Sequence, residues 1–139
     1  MKLVLDTNVV VSALIWGGVP YQLLKAAAAG EVDLVASPDL LTELRDVLGR
    51  EHLASRLVSQ QSTVEQAIAF YAGLVVIVSP LSTPRVVPGD VDDDHVIAAA
   101  VAGHADLVVS GDRHLLSMNS HQGIAIVAVA ETLKRLAAA

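Results

Sequence analysis

The chain has 139 residues, 15 acidic against 9 basic side chains (net charge −6), no cysteine, and an apolar fraction of 53% with only 3% aromatics. The length predicts one domain with a core built from Ala, Val, Leu and Ile. The composition excludes disulfides and thiolate metal sites, and the acidic balance argues against a broad basic nucleic-acid footprint.

In chain order, Leu3-Val4-Leu5 reads as a short buried strand that ends at Asp6-Thr7-Asn8, because Asp and Asn are poor strand formers. Residues 9–15 predict a short helix. Residues 16–20 predict a loop, and Pro20 suits the first turn of a helix over 21–29 that Gly30 ends. Residues 32–36 are a second strand. Ser37-Pro38-Asp39 is a helix start, with Ser as N-cap and Pro at the first helical position. That helix carries Leu40, Leu41, Leu44, Val47 and Leu48 on one face, with Glu43 at its edge.

Residues 52–58 and 63–72 read as further helices, and 74–78 as a third strand. A loop with three prolines, 79–89, delivers the chain to Asp90. An Ala-rich helix over 94–102 follows, then a fourth strand (107–110) and Gly111-Asp112. A turn of helix is expected at 113–117, a fifth strand at 124–129 and a last helix at 130–136. Strands alternating with helices predict an α/β fold with a central, mainly parallel five-stranded sheet flanked by helices. The longest uncharged stretch, 66–84, is broken by Gly73, Pro80 and Pro84, and Asp6 and Asn8 interrupt the apolar start of the chain. The expectation is therefore a cytoplasmic protein without a membrane span or leader.

In a parallel sheet the carboxyl ends of the strands share one rim, where ligands bind. Asp6 and Asp112 should both face it. Asp94 lies at a helix start, where exposed backbone N–H groups favour a carboxylate, and Glu43 can lean over from its helix. Four of the fifteen carboxylates fall within residues 90–94. Convergent acids repel, and a divalent cation relieves this; oxygen donors select Mg²⁺ or Mn²⁺ over Zn²⁺. Each acid also has a plainer reading as a strand end, a solvated helix residue, a polar loop or a turn, so the case rests on their joint placement.

A hydrophobic strand ending in Asp-Thr-Asn, a Ser-Pro-x-Leu-x-x-Glu-Leu helix start, an Asp-Asp-x-x-Ile-Ala-Ala-Ala helix and a Leu-Val-Val-Ser-Gly-Asp strand end together resemble the PIN domain. The closest likeness is to VapC-like toxins of bacterial toxin–antitoxin pairs, and it runs from Lys2 to about Leu133. The resemblance implies a single PIN-like domain and a metal-dependent endoribonuclease that acts on single-stranded or structured RNA. It assigns Asp6, Glu43, Asp94 and Asp112 as catalytic, metal-holding acids, with Asp92 and Asp93 as further candidates in the same run. Asp94 is chosen because Asp94-His95-Val96-Ile97-Ala98-Ala99 best matches the family's Asp before an apolar, Ala-rich helix. Thr7, Asn8 and Ser110 fill supporting polar positions. The resemblance also implies a small antitoxin as partner, and a homodimer. Arg45, Arg50 and Arg113 are candidate RNA contacts, set against an ordinary solvated role, and the five histidines are read mostly as surface or packing residues.

Other readings fit less well. A haloacid-dehalogenase-like phosphatase needs a second Asp where Asn8 stands, and a receiver domain needs a phospho-acceptor Asp after the third strand, which ends Val78-Ser79-Pro80. Asp90-x-Asp92-x-Asp94 hints at a Ca²⁺ loop, but His95 and Val101 occupy the positions of its Gly and Glu. No Gly-rich phosphate fingerprint is present. The rival from another class is a non-catalytic PIN-like interaction module.

Overall fold

A computed structural model describes residues 1–82 and 91–138, with the backbone alone at 91 and 92. The proline-rich loop expected at 79–89 lies outside the described residues from 83 onward, as does Asp90.

Strand β1 (Lys2–Leu5) leads into α1 (Thr7–Trp16) and α2 (Gly18–Ala28). Then come β2 (Asp33–Ala36), α3 (Pro38–Leu48), α4 (Glu51–Ser59), α5 (Val64–Ala72) and β3 (Val75–Ile77). After the undescribed stretch follow α6 (Val91–Ala102), β4 (Leu107–Val109), α7 (Arg113–Ser117), β5 (Ser120–His121), β6 (Ile124–Val127) and α8 (Val129–Ala138). Among the described residues no single helix is long and apolar enough to cross a membrane.

The strands form one sheet in the order β3-β2-β1-β4-β6-β5, parallel throughout except for the β5–β6 pair. It has six strands, one more than expected. The addition, β5, spans two residues and returns to β6 through Gln122-Gly123, both at positive φ (49° and 81°). Two left-handed residues suit the tight hairpin turn that matches strand twist. A two-residue strand is too short to leave a hydrophobic period.

The apolar residues of the central strands β1, β2 and β4 are covered on both faces, as a parallel sheet requires, while the edge strand β3 keeps Val76 and Ile77 exposed. Leu3 and Leu5 point into a core shared with α1 to α5, while Val4 points into a second core with Val96, Ile97, Ala99 and Ala100 of α6 and Leu115 of α7. Helix α3 straddles the two. Leu40 belongs to the α6 core, and Leu44 and Leu48 to the other. Glu43 lies at the edge of this apolar face, on the Leu40 side, and is half-buried.

The expected helix cap at Ser37 forms, its hydroxyl accepting from Leu40 N (3.2 Å), and Thr63, expected inside its helix, caps α5 in the same way by accepting from Gln66 N (3.1 Å). Three boundaries move. Helix α1 begins at Thr7, so Asp6 itself takes the N-cap position. The segment 16–20 is not a loop: two left-handed glycines, Gly17 (φ +71°) and Gly18 (φ +61°), make the break, and α2 leaves α1 at 97°. Helix α6 begins at Val91 rather than at Asp94, which puts the run of aspartates inside its first turn.

Gly103, just beyond α6, marks a close approach to the sheet. A Cβ there would stand 2.6 Å from Val35 Cγ1 and 3.2 Å from the Ala99 carbonyl oxygen. Gly103→Ala should force α6 away from β2 and cost about 1–3 kcal/mol, as overpacking does. Urea unfolding would read this as a lower midpoint; an unchanged or higher midpoint would mean that the α6–β2 spacing is not tight.

Candidate metal centre at the carboxyl rim

Strands β1 and β4 are neighbours at the centre of the sheet, and the chain leaves them toward opposite sides of the strand order. This is the topological switch point, where a crevice opens beyond the carboxyl ends. Their register pairs Leu5 with Val109, so Asp6 and Ser110 emerge side by side. Asp6 N still donates to Val109 O (2.9 Å) and Ser110 N to Val127 O (3.0 Å), which fixes both residues against the ends of the ladder.

Both side chains are buried, Ser110 completely and Asp6 with 5% of its surface exposed. The Ser110 hydroxyl donates to Asp6 Oδ2 at 2.7 Å and accepts from Asp112 N at 2.9 Å. Asp112 Oδ1 in turn accepts from His114 N (2.7 Å) and Leu115 N (3.3 Å), capping α7. These bonds fall on Oδ1 and leave Oδ2 to ligate a cation. Asp6 occupies the N-cap position of α1 without a side-chain cap bond to that helix. Thr7 is buried beside it, and Asn8 is exposed. Asn8 lines a cleft of about 550 Å³ together with Ser12, Pro20, Ser110, Asp112 and Arg113.

From the other side α6 brings its acids. Asp93 is 5% exposed and Asp94 fully buried. Consecutive residues on a helix point about 100° apart, so the two cannot serve one point equally. One ligand atom each from Asp93, Asp112 and His114 lie within 4.8 Å of one another. Asp94, Asp6 and Glu43 are not in that group. Glu43 lines a second recess of about 340 Å³ with Asp39, Asp46, Arg50 and His95. Helix α6 thus serves both places, with Asp93 toward Asp112 and His95 toward Glu43. The side chain of Asp92 is outside the described residues.

The arginines separate. Arg113 lines the cleft beside Asp112, and Arg50 the recess beside Glu43. Arg45 is engaged in an exposed ion pair with Glu65 of α5. His114 was not singled out by sequence reasoning. Its only signal was an imidazole two residues beyond an acid at a helix start.

The donor set fits a divalent cation. Asp93 and Asp112 supply oxygen atoms from a buried and a partly buried position, and burying carboxylate charge is costly unless it is compensated. Opposite ligands of an octahedral Mg²⁺ stand about 4.2 Å apart, so a spread of up to 4.8 Å closes with small side-chain rotations. The Ser110 hydroxyl is the hinge of this arrangement. Ser110→Ala should orphan Asp112 N and strip Asp6 of a donor, costing about 1–3 kcal/mol. Thermal unfolding without added metal is the measurement; equal stability of the variant would show that the two bonds contribute nothing.

A family model for the PIN domain matches residues 2–114. An uncharacterized protein of Methanocaldococcus jannaschii is 29% identical over 122 residues, which cover 85% of this chain and 75% of the relative. Among solved structures, one chain of VapBC2 from Rickettsia felis, crystallised with a DNA fragment from the promoter, superposes with a TM-score of 0.62 at 14% identity, covering 92% of this chain and 98% of its own. That likeness is one of fold. PIN domains are generally nucleases. With the family model spanning both central strands and every acid of the rim, the chain belongs to the PIN domain family.

Proposed function

We propose that this protein is a Mg²⁺- or Mn²⁺-dependent endoribonuclease that hydrolyses phosphodiester bonds of single-stranded RNA, and that it is the toxin of a toxin–antitoxin pair. The observation that carries the reading is the bonded series Asp6–Ser110–Asp112 at the switch point, with Asp93 drawn up to Asp112. Membership of a family of nucleases supports hydrolysis of a nucleic acid. The fold shared with a chain of a VapBC2 complex supports a small antitoxin as partner. The same reading includes a homodimer, and action in the cytoplasm, where RNA is at hand.

Asp6, Asp93 and Asp112 would hold the cation, with Glu43 and Asp94 completing the acidic wall. When bound, the cation supplies a water of lowered pKa and offsets charge on the phosphate. The chain's own residues do the positioning. Ser110 orients the Asp6 carboxylate from a fully buried hydroxyl. The α7 backbone holds Asp112 by one oxygen. Thr7 and Asn8 are supporting polar groups, and Arg113 and Arg50 stand on the two sides of the acids to meet phosphates. Hydrolysis adds water across one P–O bond: the water oxygen joins phosphorus, and its proton ends on the departing sugar oxygen.

Asp6→Asn and Asp93→Asn should each lower RNA cleavage at least about a hundredfold, the upper end of what substitutions behind a metal ligand cost, and EDTA should abolish it. Asp94→Asn is the discriminating companion: it should cost less activity than Asp93→Asn. Undiminished cleavage by folded Asp6→Asn would refute the assignment of cleavage to this rim, and no cleavage by the metal-loaded wild type would leave the interaction module.

Affinity for RNA should be weak and salt-sensitive. A single strand gives about −0.7 in the slope of log K against log salt per phosphate neutralised. If Arg50 and Arg113 each meet one phosphate, replacing either by Ala should flatten the slope by about that amount. Tight metal-free binding that ignores salt would contradict both the contacts and the charge argument.

A further inference from the structure

We propose that His114 is a third protein ligand of the cation at Asp93 and Asp112, and that its imidazole tilts this site toward Mn²⁺ over Mg²⁺. The inference rests on the metal-dependent reading above and adds a ligand and a selectivity to it.

The geometry comes first. His114 contributes one ring nitrogen to the group whose ligand atoms lie within 4.8 Å of one another, and its Nδ1 stands 4.0 Å from Asp112 Oδ1. Its backbone is held in place, because His114 N donates to that same carboxylate oxygen at 2.7 Å. The imidazole therefore swings from a fixed point next to the acid it would join. Its side chain is 70% exposed, so packing among the described residues offers little resistance to that swing. Asp93 is buried and set in the first turn of α6. One rigid carboxylate, one carboxylate anchored through Oδ1 and one mobile imidazole can close on an ion without moving the backbone.

The chemistry follows from the donor types. Mg²⁺ takes oxygen ligands and keeps several of its waters. Nitrogen donors bind the transition metals in preference, and affinity rises along the series that starts at Mn²⁺. A set of two carboxylates and one imidazole is thus biased away from Mg²⁺, which a ring of carboxylates alone is not. The exposed imidazole of His114 can complete the coordination shell begun by the two acids.

The test is metal binding by the full chain, without RNA. Mn²⁺ and Mg²⁺ titrations by calorimetry would be run on the wild type, His114→Ala, Asp112→Asn and the neighbouring Arg113→Ala, alongside pulsed EPR of bound Mn²⁺ for ¹⁴N hyperfine coupling. The expected result is a nitrogen coupling in the wild type and in Arg113→Ala that disappears in His114→Ala. With it, Mn²⁺ affinity should fall about tenfold or more, while that for Mg²⁺ changes far less. Because the side chain is exposed, circular dichroism of His114→Ala should match the wild type. Bound Mn²⁺ without nitrogen coupling, and a Mn²⁺/Mg²⁺ ratio unchanged by His114→Ala, would overturn the proposal while leaving the metal-dependent nuclease intact. No saturable binding of either ion by the wild type, or binding indifferent to Asp112→Asn, would overturn both.

Discussion

One hydroxyl joins the two halves of this site. Ser110 stands at the end of β4, fully buried, and gives its proton to the carboxylate at the end of β1 while taking the amide proton of Asp112. A serine offers one donor and two lone pairs, and here the donor and an acceptor position are both spent on the rim. The bonds tie together residues more than a hundred positions apart in the chain. They also decide two directions at once: where the Asp6 carboxylate points, and where the turn through Gly111 sets Asp112 down. Remove the hydroxyl and the first acid loses one donor while the last loses one of the bonds that set its turn, keeping those to the α7 backbone.

The sheet order makes that bond available. Strand β1 has β2 on one side and β4 on the other, so its carboxyl end opens onto the crevice between chain halves that depart in opposite directions. Helices α1, α3, α6 and α7 all begin near the carboxyl ends of strands, and helix N-termini carry partial positive charge. Asp6 takes the N-cap position of α1, Asp93 and Asp94 the first turn of α6, and Asp112 the cap of α7. The acids that repel one another are thus each set against a helix end that favours them. Backbone dipoles offset part of that repulsion, and a cation is left to offset the rest.

Much of this was legible in the chain itself. Short β-rich apolar runs ending in Asp6 and Ser110, and Ser37-Pro38 as a helix start, are local signals with local causes, and they lie where expected. What escaped was decided by longer-range geometry or by single residues. In Asp92-Asp93-Asp94 three identical side chains follow one another, so residue type cannot say which faces the rim. The helix phase decides, and it depends on a start at Val91 that the preceding residues do not advertise. The match to an Asp before an apolar, Ala-rich helix selected Asp94; in the fold that residue is fully buried, and it is Asp93 whose carboxylate lies within 4.8 Å of Asp112. His114 escaped for a different reason. A lone histidine has no period and no motif, and only the cap of α7, which folds His114 back on Asp112, brings its ring near the two acids.

The charge of the protein follows from the same constraint. A net charge of −6 is awkward for a protein that handles a polyanion, and basic residues spread along the rim would supply attraction at long range. They would also compete with the cation for the carboxylates that hold it, since an ammonium or guanidinium within a few ångströms satisfies an acid as a metal does. The described arginines are disposed in keeping with this. Arg113 flanks the acids on the cleft side and Arg50 on the recess side, while Arg45 is drawn off to Glu65 on the outer surface. Positive charge is set beside the acidic wall, where it can meet neighbouring phosphates and leave the centre to the ion. In the proposed reaction, recognition would rest on the cation and the two flanking guanidiniums acting together, with little attraction from the net charge of the protein.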